Sequence, residues 1–286
     1  MAMIPNQLPR LVSDPTGRSL GLDLPPGALT GPADAPYLWS GDGPAGPAAW
    51  AALRPAARMA GLLPVLLGGP CDLDGWHLMP EMMSDPADHD AEEVLAGFWD
   101  GYAAEEIPEE DRDPQVTAAV EALFGEQPGY AEVVAPFAAG WPGLAPALPL
   151  RTDPDRAAAA IAEALTEPGT WQAEAHPALV PARRSADIPA VIGWTGPLNH
   201  ENDVARLCTV LRSWEDRFGA RVVALTPGEL LVSVAAPPRT PEEAEAVAAE
   251  HFAFCPDNIT QGHYDTLREY AREALLNAPV WRFWWD

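Results

Sequence analysis

The run Cys255-Pro256-Asp257, followed by Gln261-Gly262, gathers the side chains best suited to covalent chemistry. A thiolate is a nucleophile, Asp257 is an acidic partner for it, and His200, His251 or His263 would serve as the base. The same residues also have a purely structural reading. Pro256 ends a helix, Asp257 or Asn258 caps the turn, and Gln261-Gly262 shapes the loop. Cys255 then acts as a small buried hydrophobe. Its apolar neighbours Phe252 and Phe254 favour that second reading.

Other clusters invite the same comparison. Asn199-His200-Glu201 stands at the head of an expected helix, where it would hold an anion or a metal, or simply complement the helix dipole. The dipole reading is the expectation. Gly41-Asp42-Gly43-Pro44-Ala45-Gly46 has the spacing of a dinucleotide loop. However, Pro44 lacks an amide and Asp42 repels phosphate, so a chance match is expected and no cofactor is assigned. The acidic segment 85–93, with Asp85, Asp88, His89, Asp90, Glu92 and Glu93, offers hard oxygen ligands for a divalent cation but lacks EF-hand spacing. It reads as a solvated acidic loop. The chain contains no G-x-S-x-G elbow, H-E-x-x-H helix, Cys-x-x-Cys pair or P-loop.

The 286-residue chain carries a formal charge of -25, and all 17 of its basic residues are arginine. Such a charge opposes binding to nucleic acid or to an anionic membrane. The absence of lysine, with 33 prolines, suits a GC-rich bacterial genome, and halophily is the lesser alternative. Cys71, Cys208 and Cys255 are odd in number and widely spaced, as expected of reduced thiols. No apolar run approaches the roughly 20 residues of a membrane span, and no signal peptide is evident. A cytoplasmic location is therefore expected.

Residues 1–35 read as Pro/Gly-rich loop with at most one short strand. Strands are expected at Tyr37-Leu38-Trp39, 62–67 and 75–79. Helices are expected over 47–60, 91–104, 115–124 and 154–165. Residues 72–113 hold fifteen acidic residues and one arginine. In the last hundred residues, strands are expected at 188–194, 221–225 and 230–235, and helices at 202–218, 241–254 and 264–276. Thr240-Pro241-Glu242-Glu243 forms a capping box. The terminal segment Val280-Trp281-Arg282-Phe283-Trp284-Trp285-Asp286 holds three of the eleven tryptophans, too much aromatic surface for a frayed tail. As a strand it puts Trp281, Phe283 and Trp285 on one face. Arg282, Trp284 and Asp286 fall on the other, with Trp284 expected to meet the N-terminal half.

Trp214-Glu215-Asp216-Arg217-Phe218-Gly219-Ala220, Cys255-Pro256-Asp257 with Gln261-Gly262, and Trp281 with Phe283-Trp284-Trp285-Asp286 together resemble the bacterial family called domain of unknown function 4253. The resemblance covers about residues 186–286. Where that family leads one to expect an asparagine followed by Cys-Pro, this chain has Asn199-His200-Glu201-Asn202. The resemblance implies a bacterial protein and supplies no activity.

The expected fold class is α+β. A C-terminal ferredoxin-like βαββαβ sandwich with an extra helix packs on an N-terminal mixed α/β region. The divisions are an irregular segment 1–35, a mixed region 36–170, a linker 171–187 and a C-terminal domain 188–286. The leading functional expectation is a non-catalytic binding protein whose acidic, aromatic surface engages a basic protein partner, in the manner of an immunity protein. The alternatives are a hydrolase-like enzyme using Cys255, Asp257, Gln261 and His200, and a divalent-metal protein using segment 85–93. The oligomeric state is left open.

Overall fold

Local chemistry sets most of the element boundaries in the computed structural model, which describes residues 5–46, 48–69, 76–105, 115–116, 122–123, 129–137, 140–170 and 172–285. In chain order the elements are β1 (Gly27–Thr30), β2 (Leu38–Gly41), α1 (Ala49–Met59), β3 (Leu63–Leu67), α2 (Ala91–Glu105), α3 (Tyr130–Val133) and α4 (Pro154–Leu165). There follow β4 (His176–Val180), α5 (Ile188–Ile192), α6 (Val204–Phe218), β5 (Arg221–Leu225), β6 (Glu229–Ser233), α7 (Pro241–Phe254), α8 (Asp257–Thr260), α9 (Leu267–Tyr270) and β7 (Val280–Trp284). A single π turn, Ala271–Leu275, continues α9.

The caps are legible in the residues. Asp153 accepts the Arg156 amide at 2.9 Å ahead of Pro154, the first residue of α4. Thr240 and Glu243 form the full reciprocal box at the head of α7, satisfying two amides that the helix leaves without partners. At the far end of α6, Gly219 takes φ 62°, a left-handed conformation that costs glycine little.

The chain divides into two compact units, each gathered from distant stretches. Residues 1–90, 147–237 and 279–286 form the first, and residues 91–146 and 238–278 the second. The first unit holds a seven-stranded sheet in the order β1-β2-β4-β3-β5-β6-β7. The β3–β5 pair is parallel and the other pairings are antiparallel. One core sets Trp50, Ala158 and Ala162, from α1 and α4, against Leu66, Val223 and Leu231. A second gathers Leu8, Leu11, Leu22 and Leu24 over Trp39, Leu53 and Leu179.

Helix α6 covers the opposite sheet face. Its Trp214 stacks on Phe283 of β7 with ring centroids 5.3 Å apart, and meets Trp281 edge-on at 5.4 Å. Phe283 pairs with Leu230, whereas Arg282 pairs with Leu231, which faces α4. Strand alternation therefore puts α4 and α6 on opposite faces.

The second unit is helical among its described residues. Phe252 of α7 is its centre, contacted edge-on by Trp99 at 5.5 Å and by Tyr102 at 5.5 Å. Val94, Leu95 and Trp99 of α2 are buried, as the helical spacing predicts.

Several expectations change. Residues 188–194 are not a strand. Ile188 starts a short helix with Pro189 in its first turn, and Gly193, at φ 66°, ends it. A Cβ on Gly193 would lie 2.0 Å from the Pro80 nitrogen, so glycine is required there. A short apolar run does not separate buried strand from buried helix by periodicity. Without that strand, β5, β6 and β7 form a meander, and β3 from the N-terminal half lies between β4 and β5. The coarse mixed α/β class stands, but this sheet order is not the ferredoxin-like one.

The segment expected as linker, 171–187, contains β4, which pairs with both β2 and β3. Residues 76–79 are irregular, and the helix expected over 264–276 is α9 plus the π turn. Most of the expected helix 115–124 lies outside the described residues, as do Cys71 and Asp286.

Replacing Trp214 with alanine empties the centre of the α6–β7 packing. The expected loss is about 3–5 kcal/mol of stability, read as a lowered midpoint in denaturant unfolding, against less than about 1 kcal/mol for exposed Arg282→Ala.

Candidate functional site

The Cys255 region belongs to the second unit, where helix termini bring four polar side chains together in complete or near-complete burial. The end of α7 supplies His251, the turn after it Cys255, α8 Asn258, and α9 Tyr270. The Cys255 thiol donates to Asn258 Oδ1 at 3.5 Å, and Asn258 Nδ2 donates to the Tyr270 hydroxyl at 3.1 Å. Tyr270 Oη lies 2.9 Å from His251 Nδ1. The Tyr270 hydroxyl thus accepts from Asn258 and shares a second hydrogen bond with Nδ1, whose direction depends on the imidazole tautomer.

Burial governs the charge states of this chain of groups. It holds the His251 imidazole well below the ordinary histidine value and pushes the Tyr270 phenol up. Both stay neutral near pH 7. Cys255 is 0% exposed, so no substrate reaches its sulfur without opening the unit. Asp257 Oδ1 accepts from Gln261 Nε2 at 3.0 Å, bracing the first turn of α8. Cys255, Asp257 and Gln261 thus stand around one turn, with Cys255 and Asp257 buried and Gln261 exposed.

Asn199, His200, Glu201, Trp214, Trp284 and Trp285 lie in the first unit. Glu201 pairs with Arg206 and accepts the Asp203 amide at 2.9 Å, while Asp203 caps α6 by accepting the Ala205 amide. His200 and Asn199 sit in the turn before that cap, with the His200 amide bonded to the Pro197 carbonyl at 2.8 Å. Trp214 and Trp285 are buried in aromatic packing, Trp285 against Trp194 at 5.6 Å. Trp284 is half-buried on the strand face opposite Phe283. In the glycine loop the Ala45 amide is engaged by the Ala175 carbonyl at 2.7 Å.

Within segment 85–93, Asp85 caps a single turn through the Ala87 amide, and His89 Nε2 contacts Ser84 Oγ at 2.6 Å. Among the described residues no group of three or more His, Cys, Asp or Glu side chains is arranged to hold a metal ion. Nor is any helix there long and apolar enough to cross a membrane.

What sequence reasoning missed is an arginine-lined cleft of about 270 Å³ in the first unit, walled by Arg54 and Arg58 of α1, Asp155 of α4, the Arg183-Arg184-Ser185 turn, Glu215 and Asp216 of α6, and Arg221 of β5. Glu215, 7% exposed at its side chain, organises one wall. It accepts from Arg184 Nε at 2.6 Å, from Ser185 Oγ at 2.6 Å and from the Ala186 amide at 3.1 Å. Ser185 Oγ in turn accepts the Val222 amide at 3.1 Å, which ties the cleft to β5.

Asp155 organises the opposite wall. It binds Arg54, Arg58 Nη1 at 3.3 Å and Arg221 Nε at 3.0 Å. Burial alone would raise the Asp155 carboxyl, but hydrogen bonds and charge from Arg54 and Arg221 outweigh it and hold it below 3.8. Burial likewise disfavours the Arg184 cation, yet its bonds to Asp216 and Glu215 leave it more firmly protonated than usual. The sequence contained one usable signal: an Arg-Arg pair in a chain poor in basic residues. The partners come from α1, α4, α6 and β5, so nothing local joined them.

Residues 177–286 match the family described as Domain of unknown function (DUF4253), which the Trp-Glu-Asp-Arg-Phe-Gly, Cys-Pro-Asp and Trp-rich terminal motifs resemble. The match begins inside β4, nine residues before the start expected from the motifs. No curated protein and no solved structure matches the chain.

Two pH dependences follow. The unfolded His251 takes a proton near 6.5 and the folded one does not, so stability of the second unit is greatest above 6.5 and declines as pH falls below it. His251→Gln should flatten that decline, measured by amide exchange along Pro241–Phe254. The Asp155 contribution is complete above 3.8 and disappears as pH drops through and beneath that value. Asp155→Asn should remove it and cost about 1–3 kcal/mol at neutral pH, read by denaturant unfolding.

Proposed function

We propose that the protein is a non-catalytic binding protein that engages a basic protein partner through its acidic second unit. One observation carries the reading. The stretches 91–146 and 238–278 contain twenty acidic residues and four arginines, so most of the charge excess of a -25 chain belongs to that unit. Glu92, Glu93, Asp100, Glu132, Glu242, Asp265 and Glu273 are exposed there. A field of one sign raises the encounter rate with an oppositely charged partner and rejects acidic ones. An immunity-like role toward a basic toxin is one form such binding would take.

The catalytic alternative gains no support from the same geometry. A nucleophile must be reachable and in hydrogen-bond reach of a base. Cys255 is buried and its thiol donates to the Asn258 amide oxygen. Of the bases considered in the same unit, His251 is buried with Nδ1 on the Tyr270 hydroxyl, and His263 is exposed in the loop after α8.

Affinity capture from a bacterial extract in moderate salt, with bound proteins identified by mass, tests the proposal. The expected outcome is a basic partner whose retention falls steeply with added salt and is lost in the Glu92→Gln, Glu93→Gln, Asp100→Asn variant. Recovery of no protein, or of one whose binding ignores both salt and those charges, counts against it.

A further inference from the structure

The arginine cleft of the first unit has a charge balance opposite to that of the chain. Five guanidinium groups face three carboxylates, which leaves about two positive charges in a space of about 270 Å³. A network serving only to hold the fold together would be expected to balance. Here the carboxylates are committed to fixing particular arginines. Arg184 makes four hydrogen bonds, to Glu215, Asp216 and the Arg212 carbonyl, which leaves little of its donor capacity for anything else. Arg221 is held by Asp155 and by the Ala220 carbonyl, and Arg54 is braced over the Trp50 ring at 5.1 Å.

Two arginines are left at the mouth. The Arg58 side chain is 70% exposed and reaches Asp155 through one nitrogen. Arg183 is exposed and makes no hydrogen bond or ion pair with a described residue. Arg183 also lines a neighbouring cavity of about 570 Å³, whose walls include Met83, Pro86, Pro181 and Val191. One unengaged guanidinium is therefore shared by a polar cleft and a mixed, partly apolar one.

We propose that this cleft is a binding site for a phosphate monoester, with the phosphoryl group held by Arg58 and Arg183 on a floor positioned by Asp155 and Glu215. A monoester near neutral pH carries about -1.5 to -2 charges and three acceptor oxygens. That matches the surplus and the guanidinium fork, which pairs with phosphate through two parallel bonds. The volume takes a phosphoryl group with a few carbon atoms, and a larger organic part extends past Arg183 into the second cavity. An extended phosphodiester chain is excluded by the long-range field of a chain with net charge -25. A compact ligand meets chiefly the local field.

The test titrates the full-length protein with glycerol 3-phosphate by calorimetry at constant ionic strength. Saturable binding at one site is expected, weakened about tenfold or more in Arg183→Ala and in Arg58→Ala. The unliganded melting temperature should change little, because both side chains are exposed. Arg183→Lys, which keeps the charge but not the fork, should fall between. Absence of saturable heat, unchanged affinity in both alanine variants, or equal binding of succinate overturns the proposal. Tighter binding of inorganic phosphate than of the ester overturns the ester in favour of the free anion.

Discussion

The packing of α6 against β7 is the constraint on which the first unit depends. Trp214 stacks on Phe283 while Trp281 closes against both Trp214 and Phe218, at 5.4 and 5.6 Å. Aromatic pairs of this kind add about 0.5–1.5 kcal/mol each beyond the area they bury. They also leave little freedom in the helix rotation. With Trp214 directed at the sheet, the next residue, Glu215, turns toward the 184–186 turn, where it gathers Arg184, Ser185 and the Ala186 amide. The arginine cleft is thus a consequence of how the last strand is covered.

Charge is distributed by unit rather than by segment. The first unit holds thirteen of the seventeen arginines, and five of these line one cleft, while the second carries nearly half of the acidic residues. Desolvation makes unpaired buried charge costly, so the interior arginines occur with carboxylates bound to them. In the second unit the Cys255–Asn258–Tyr270–His251 series is joined by hydrogen bonds rather than ion pairs.

Elements governed by neighbours in sequence were legible. Helices α1, α2, α4, α6 and α7 follow apolar spacing and caps, and β7 shows the alternation of buried Trp281 and Phe283 with exposed Arg282. The structural reading of Cys255 rested on its flanking phenylalanines, and its burial agrees. Two elements misled. The run 188–194 lacked a period long enough to decide helix from strand, and β4 was hidden by its proline and alanine content. Pro177 lies in a strand paired on both sides, but the β2 pairing starts only at Ala178, so its missing amide is tolerated.

By itself the sequence determined most of the helices, the extreme acidity and the docking of the tryptophan-rich terminus, because each depends on residues within a few positions of one another. Only the tertiary structure decided that β3 would lie between β4 and β5, and that arginines from α1, β5 and the 183–184 turn would meet around Asp155 and Glu215. Strand order is set by burying both sheet faces at once, and the cleft by pairing charges that stand up to 101 positions apart, from Arg54 to Asp155. Neither leaves a periodic trace along the chain.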